Sequence, residues 1–393
     1  MVAPADVKKW ITHMQPPAVE RMLKEAATEN VISFAGGLPA ETLFPTEDLN
    51  EALQKVIAEH ASEALQYYWA EGYAPLREQI AQRMSARGMP TKPTEVLVTH
   101  GAQQALDLIA KLLIRAGDTV VLESPTYVPA IQAFEMHRPA FEPLTRNEHG
   151  IDLQQLRDVL SRSRPRLLYV VPTGHNPTGV SLTYPQRREL LELLQQSDAY
   201  VVEDDAYGEL QYGARQTPLR ALAPEFRQHF FVGSFSKILS PGLRVGWIAA
   251  PEALIKELIL IKQASDLQTS TLTQLVLSNY MSSTSLNRHV ERCIDYYRER
   301  RDCVLASCER HLPPSLRWTR PDSGFSVWME LAADISAGSL LKKALNNGVA
   351  FEPGEPFFVS QRPLNYVRVS FSNLECEQIE DGIQRLAGLL SAS

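Results

Sequence analysis

EVLVTHGAQQALDLIAKLLIRAGDTVVLE, residues 95–123, decides the fold. Its ends, EVLVT (95–99) and TVVLE (119–123), are β-rich and apolar without strict alternation, the pattern of strands covered on both faces. Between them Ala105, Leu108, Ile109, Leu112 and Leu113 follow helical spacing, and Gly117 closes the helix. Further β-rich runs come later, alternating with helical patterns: RLLYVV (166–171), YVVED (200–204), FFVGS (230–234) and VGWIAA (245–250). Strand, helix, strand repeated in this way predicts a mainly parallel α/β sheet flanked by helices.

The chain of 393 residues is too long for one small core and suits a large domain with a smaller companion. Beyond the sheet lies NRHVERCIDYYRERRDCVLASCERH (287–311), a long amphipathic helical pattern. Then come the shorter pieces GFSVWMEL (324–331), NNGVAFEPG (346–354) and YVRVSFS (366–372), and a C-terminal helix. This mixed order predicts a small α+β domain. We expect a large domain over 46–284 and a small one from 1–45 and 285–393, the first 45 residues packing onto the latter.

Composition excludes several function classes. A net charge of −7, without a basic block, argues against nucleic acid as a partner. No apolar run reaches the roughly 18 residues of a membrane span, and the N-terminus lacks the apolar core of a secretory signal. Cys293, Cys303, Cys308 and Cys376 show no CxxC spacing, so reduced thiols of a cytoplasmic protein are expected, and no metal site.

Open α/β sheets bind ligands beyond the carboxyl ends of their strands, so the residues just after each strand matter most. After EVLVT, His100-Gly101-Ala102-Gln103 opens a helix whose free amides suit a phosphate, or form an ordinary turn. After TVVLE, Tyr127 would stack on a flat ligand or sit in the core. The next turn, PTGHNPTG (172–179), offers the Asn176 amide as a donor; His175 beside it faces substrate or solvent. Asp204-Asp205-Ala206-Tyr207 brings a carboxylate that needs a cationic partner if buried, or else caps a helix.

The last of these segments, SFSKILSPGLRVGW (234–247), puts Lys237 and Arg244 into a run otherwise ready for burial. An unpaired buried ammonium is costly, so such a lysine finds a partner, loses its proton or stays in water. A phosphate cradle, a stacking ring, an amide, a carboxylate and a lysine, in strand order, are what pyridoxal phosphate needs.

The motifs ISFAGGLP (32–39), NPTG (176–179), DDAY (204–207), SFSK (234–237), SPGLRVG (240–246) and VRVSFS (367–372) resemble those of the class I/II aminotransferases, over nearly the whole chain. These are fold-type I enzymes dependent on pyridoxal 5'-phosphate (PLP). Within the family, FAGGLP and PTGHNPTGVSLT look most like the 2-aminoadipate, kynurenine and aromatic amino-acid aminotransferases. The resemblance implies a homodimer with its sites at the interface, acting on amino acids and 2-oxo acids by a ping-pong mechanism.

By motif, Lys237 resembles the lysine that bonds the cofactor as an imine and serves as general base. Asp204 resembles the partner of the ring nitrogen, and Asn176 and Tyr207 the donors to the ring hydroxyl. Gly101, Ala102, Gln103, Ser234, Ser236 and Arg244 look like the phosphate cup, and Tyr127 like the stacking ring. Arg368 is similar to the arginine that takes the substrate α-carboxylate, with Gly37 and Asn176 beside it. Tyr67 resembles a tyrosine lent to the partner subunit's phosphate. Where aminoadipate enzymes carry a side-chain-reading arginine, an ungapped count places Glu20, with Arg21 adjacent.

Two other readings are weighed against transamination. A relative could divert the same Cα carbanion to elimination or cyclisation, with the same site residues. A ligand-sensing half of a transcription regulator would need a winged helix, and only about 30 residues precede VISFAGGLP, so that reading is set aside.

Overall fold

The computed structural model describes residues 31–283, 285–360 and 363–391. Glu20 and Arg21 lie outside them. Fourteen strands are numbered in chain order among the described residues. Eight of them form the main sheet: β2 (Val96–Thr99), β3 (Thr119–Ser124), β4 (Ala140–Asn147), β5 (Gly150–Ile151), β6 (Leu167–Val170), β7 (Tyr200–Asp204), β8 (His229–Ser234) and β9 (Gly246–Ala249). Their order across the sheet is β2-β9-β8-β7-β6-β3-β4-β5.

The pairs β8–β7, β7–β6, β6–β3 and β3–β4 are parallel, whereas β9 runs antiparallel to both of its neighbours. The carboxyl ends of β2, β3, β6, β7 and β8 therefore share one edge of the sheet, and β9 begins there. Helices cover both faces. The helix Gly101–Leu113 buries Leu106, Leu108 and Ile109 completely, each contributing about 1.5–3 kcal/mol by leaving water.

All six strands expected from sequence form, and the helix expected at 287–311 spans Ser285–His311. β4 and β5 were not anticipated. AFEPLTRN carries Pro143, lies near the sheet edge and is largely unburied, so its composition gave no strand signal.

A second, antiparallel sheet has the order β10 (Arg317–Trp318), β11 (Ser326–Glu330), β14 (Tyr366–Ser370), β13 (Glu352–Pro353). A two-stranded parallel pair joins β1 (Ile32–Ser33) to β12 (Val349–Ala350). Phe34 follows β1 and packs onto Gly382 of the C-terminal helix Cys376–Ser391. Ser372 Oγ donates to the Leu38 carbonyl, tying FAGGLP to the end of VRVSFS.

One expectation fails here. Cys303 and Cys376 form a disulfide, with Cα atoms 5.6 Å apart, while Cys293 and Cys308 are free and buried. The long helix and the C-terminal helix lie side by side, which joins positions 73 residues apart. Sequence spacing carries no trace of that contact.

Candidate active site

The shared edge of the main sheet opens into a cavity of about 250 Å³. Lys237, Asp204, Tyr207, Asn176, Tyr127 and Ser234 line it from the ends of β8, β7, β6 and β3. Ala102, Gln103, Ser236 and Arg244 form one end, and Gly37 and Arg368 the other. Two expected residues stand apart. Gly101 lies beneath Arg244 and does not face the cavity. Tyr67 is 75% exposed and lines no part of it.

The phosphate-like end is built by backbone geometry. The helix Gly101–Leu113 starts at Gly101 with φ +74°, aiming its first amides toward the cavity. A Cβ on Gly101 would lie 3.0 Å from Arg244 Nη2, so the guanidinium would have to give by a few tenths of an ångström to admit any other residue. Arg244 itself adopts φ +53°, a left-handed conformation unfavourable for a long side chain, and its Nη2 donates to the His100 carbonyl at 3.2 Å. Its side chain is exposed, so this cation of the apolar run is not buried by the fold. Ser234 Oγ accepts from the Ser236 N–H at 3.1 Å, fixing both hydroxyl residues of the turn.

Lys237 stands at mid-cavity. Its Nζ donates to the Gly37 carbonyl at 3.1 Å and lies 5.8 and 5.6 Å from the Tyr207 and Phe325 ring centroids. Desolvation, reinforced by the charges of Arg368 and Arg244, lowers the amine from 10.5 to about 8. Some of the side chain still opens to the cavity, but its walls leave the amine poorly hydrated.

Asp204 is buried at the floor. It accepts from Tyr169 Oη at 2.8 Å and from the Ala206 N–H at 3.3 Å, and it makes no ion pair among the described residues. Burial raises its carboxyl to about 6 despite those two donors. Asp205, its neighbour in sequence, points away and pairs with Arg87. Neither aspartate caps a helix.

Arg368 is 6% exposed. Nη1 donates to Asn176 Oδ1 at 2.9 Å, and Nη2 pairs with Glu352. The first contact orients the Asn176 amide and leaves its Nδ2 as a donor for the cavity.

His175 answers to neither sequence reading. It is fully buried off the cavity, with Nδ1 2.9 Å from Thr178 Oγ1 and Nε2 3.5 Å from Glu123. Burial, with the nearby Arg146 charge, holds it neutral, well below the usual histidine range. Glu123 and Arg146 form an ion pair of fully buried side chains behind the NPTG loop.

Sequence reasoning missed Tyr169 and Glu352, which also line the cavity. Each left a faint signal, a hydroxyl inside the apolar RLLYVV and a carboxylate inside VAFEPG.

These residues fit PLP. A dianion suits the helix start and Arg244, a protonated ring nitrogen supplies the cation that buried Asp204 lacks, and an aldehyde suits an amine already depressed toward neutrality. The fold and site therefore define a PLP enzyme acting on amines or amino acids.

Comparison with known proteins narrows the class. The family described as Aminotransferase class I and II matches residues 29–386. The chain is 42% identical over 386 residues to the 2-aminoadipate transaminase of Thermus thermophilus, covering 97% of this chain and 96% of that protein. It is 39% identical over 381 residues to the aromatic-amino-acid aminotransferase 1 of Thermococcus litoralis, covering 95% and 91%. The solved alpha-aminoadipate aminotransferase of T. thermophilus, complexed with N-(5'-phosphopyridoxyl)-L-leucine, matches with a TM-score of 0.92 at 40% identity, covering 98% of this chain and 97% of that one. The chain belongs to the class I and II aminotransferases and is a PLP-dependent enzyme that moves an amino group between an α-amino acid and a 2-oxo acid.

Proposed function

We propose that the cavity between Arg244 and Arg368 is the transamination site of a homodimer, and that its donors are aromatic amino acids and 2-aminoadipate, the substrates named for its relatives. One observation carries the reading. A desolvated lysine and a buried carboxylate without a cation share a cavity with an arginine at each end.

When bound, the cofactor supplies an electron sink that stabilises the Cα carbanion. The residues divide the remaining work. Ala102, Gln103, Ser234, Ser236 and Arg244 would hold the phosphate, with Gly101 seating the Arg244 guanidinium, and Tyr127 would stack on the ring. Asp204 keeps the ring nitrogen protonated, braced by Tyr169. Asn176 and Tyr207 donate to the ring hydroxyl. Arg368 takes the α-carboxylate, with the Gly37 backbone beside it. Lys237 Nζ, an amine depressed toward neutrality, would serve as the general base that takes the Cα proton of the substrate. Tyr67, exposed on one protomer, reaches the partner's phosphate.

Borohydride reduction of the holoenzyme followed by peptide mapping tests the central assignment. The pyridoxyl label should fall on Lys237. Lys237→Ala should take no label, retain cofactor noncovalently and lose transamination by at least about 10³-fold. Label on another lysine would refute it.

A further inference from the structure

Glu352 and Arg368 stand directly opposite each other on the antiparallel strands β13 and β14. Opposed residues leave a sheet on the same face, so register alone brings the two charges together. That face closes the cavity. Both side chains line it, and they are 4% and 6% exposed. Arg368 Nη2 pairs with Glu352 Oε2, and the guanidinium lies 5.1 Å from the Phe357 ring centroid. The arginine at the carboxylate end thus carries a counter-ion of its own, fixed in the same wall.

With Arg368 as the proposed carboxylate site, on which this inference rests, the pair bears on what that arginine selects. A substrate α-carboxylate docking there brings a second negative charge against Glu352, in surroundings where repulsion is poorly screened. The carboxylate competes with Glu352 for the guanidinium. An amine without a carboxylate leaves the pair closed and meets a neutral wall. Beside it stand Phe357, Val128 and Leu38, apolar surface suited to a phenyl or long aliphatic group.

We infer that Glu352 is a specificity-determining residue that offsets the charge of Arg368, so that the enzyme takes primary amines with apolar side chains as amino donors in addition to amino acids. The balance closes without a further reactant. The amine R–CH2–NH2 loses its amino group and one Cα hydrogen and leaves as the aldehyde R–CHO. The 2-oxo acid gives up its keto oxygen, gains that amino group and a hydrogen on Cα, and is reduced to the amino acid.

The test compares L-phenylalanine with 2-phenylethylamine, which differ only by the carboxylate, using holoenzyme and 2-oxoglutarate as acceptor. Calorimetric binding of 3-phenylpropionate gives a readout independent of turnover. Wild type should release phenylacetaldehyde from the amine. Glu352→Gln should bind 3-phenylpropionate at least about tenfold more tightly and raise the phenylalanine-to-amine ratio of kcat/KM by at least about tenfold, the size expected from removing one close like charge. Glu352→Asp, which keeps the charge, should stay near the wild-type ratio. Absence of aldehyde from wild type, an unchanged ratio in Glu352→Gln, or weaker 3-phenylpropionate binding would overturn the inference and leave Glu352 as a brace for Arg368. The Arg368→Leu variant separates the two claims when the donor half-reaction is followed alone, without acceptor, by the loss of cofactor absorbance. It should then lose phenylalanine and keep the amine, whereas equal losses for both donors would refute the carboxylate reading itself.

Discussion

Asp204 is held in the fold at a cost. Its carboxyl is raised from 3.8 to about 6 by burial, so the folded apoprotein disfavours the ionised form. Above about pH 6 the group is ionised in both folded and unfolded chains and the cost is fully present; it fades as pH falls toward 3.8. Asp204→Asn keeps an acceptor for Tyr169 and Ala206 without the charge. Urea unfolding of the apoprotein at pH 7.5 should show a gain of about 1–3 kcal/mol, gone by about pH 4. Transamination should fall by at least about 100-fold, because nothing then keeps the ring nitrogen protonated. Stability and activity would move in opposite directions. Lys237 and Asp204 were legible because residue type and position after a strand mark them, with the family motif choosing between Asp204 and Asp205. Tyr169 and Glu352 were not, since each acts through a partner set by pairing or packing between distant segments, Tyr169 to Asp204 and Glu352 to Arg368.

At the scale of elements, the helix Gly101–Leu113 and the turn carrying Arg244 form one device. Gly101 and Gly117 both adopt positive φ, +74° and +87°, but an added Cβ meets Arg244 at the first and nothing within 4 Å at the second. Alanine at either site should cost similar backbone strain, about 1 kcal/mol. Only Gly101→Ala should displace the guanidinium. Fluorescence titration of the apoproteins with PLP should show at least about tenfold weaker binding for Gly101→Ala and an affinity near wild type for Gly117→Ala. Equal affinities would remove Arg244 from the cup. The helix itself could be read from its apolar spacing, as could the six apolar strands. β4 could not, because a strand near an exposed edge with a proline inside lacks the burial that writes a hydrophobic pattern.

At the scale of the whole molecule, the surface after the helix Thr46–Ala64 carries an apolar run that one chain leaves uncovered. Leu65, Tyr67 and Trp69 are 72%, 75% and 70% exposed, and Ile57 on the preceding helix is 43% exposed. Large apolar groups clustered in this way mark an interaction surface. In the homodimer we propose, they meet the partner. Sedimentation equilibrium should give a dimer for wild type, and Leu65→Asp with Trp69→Asp should shift it toward monomer while weakening PLP. Tyr67→Phe should leave the dimer intact and weaken PLP alone, by about three- to thirtyfold for one lost hydrogen bond to a charged phosphate. A wild-type monomer that binds cofactor normally would refute this arrangement.

The reversed strand β9 has a consequence for biosynthesis. β2 is among the first strands to leave the ribosome, yet its sheet partner among the described residues is β9, about 150 residues later, which alone joins it to β8. Before β9 is made, the strand that leads into Gly101 has no sheet partner among the described residues, and Arg244, two residues ahead of β9, arrives only with it. The anion cup we propose is therefore absent from every nascent chain shorter than about 250 residues, however well β3, β6, β7 and β8 have already assembled. A cofactor arriving early finds the parallel strands formed but no grip for its phosphate, so loading waits for the last strand of the sheet.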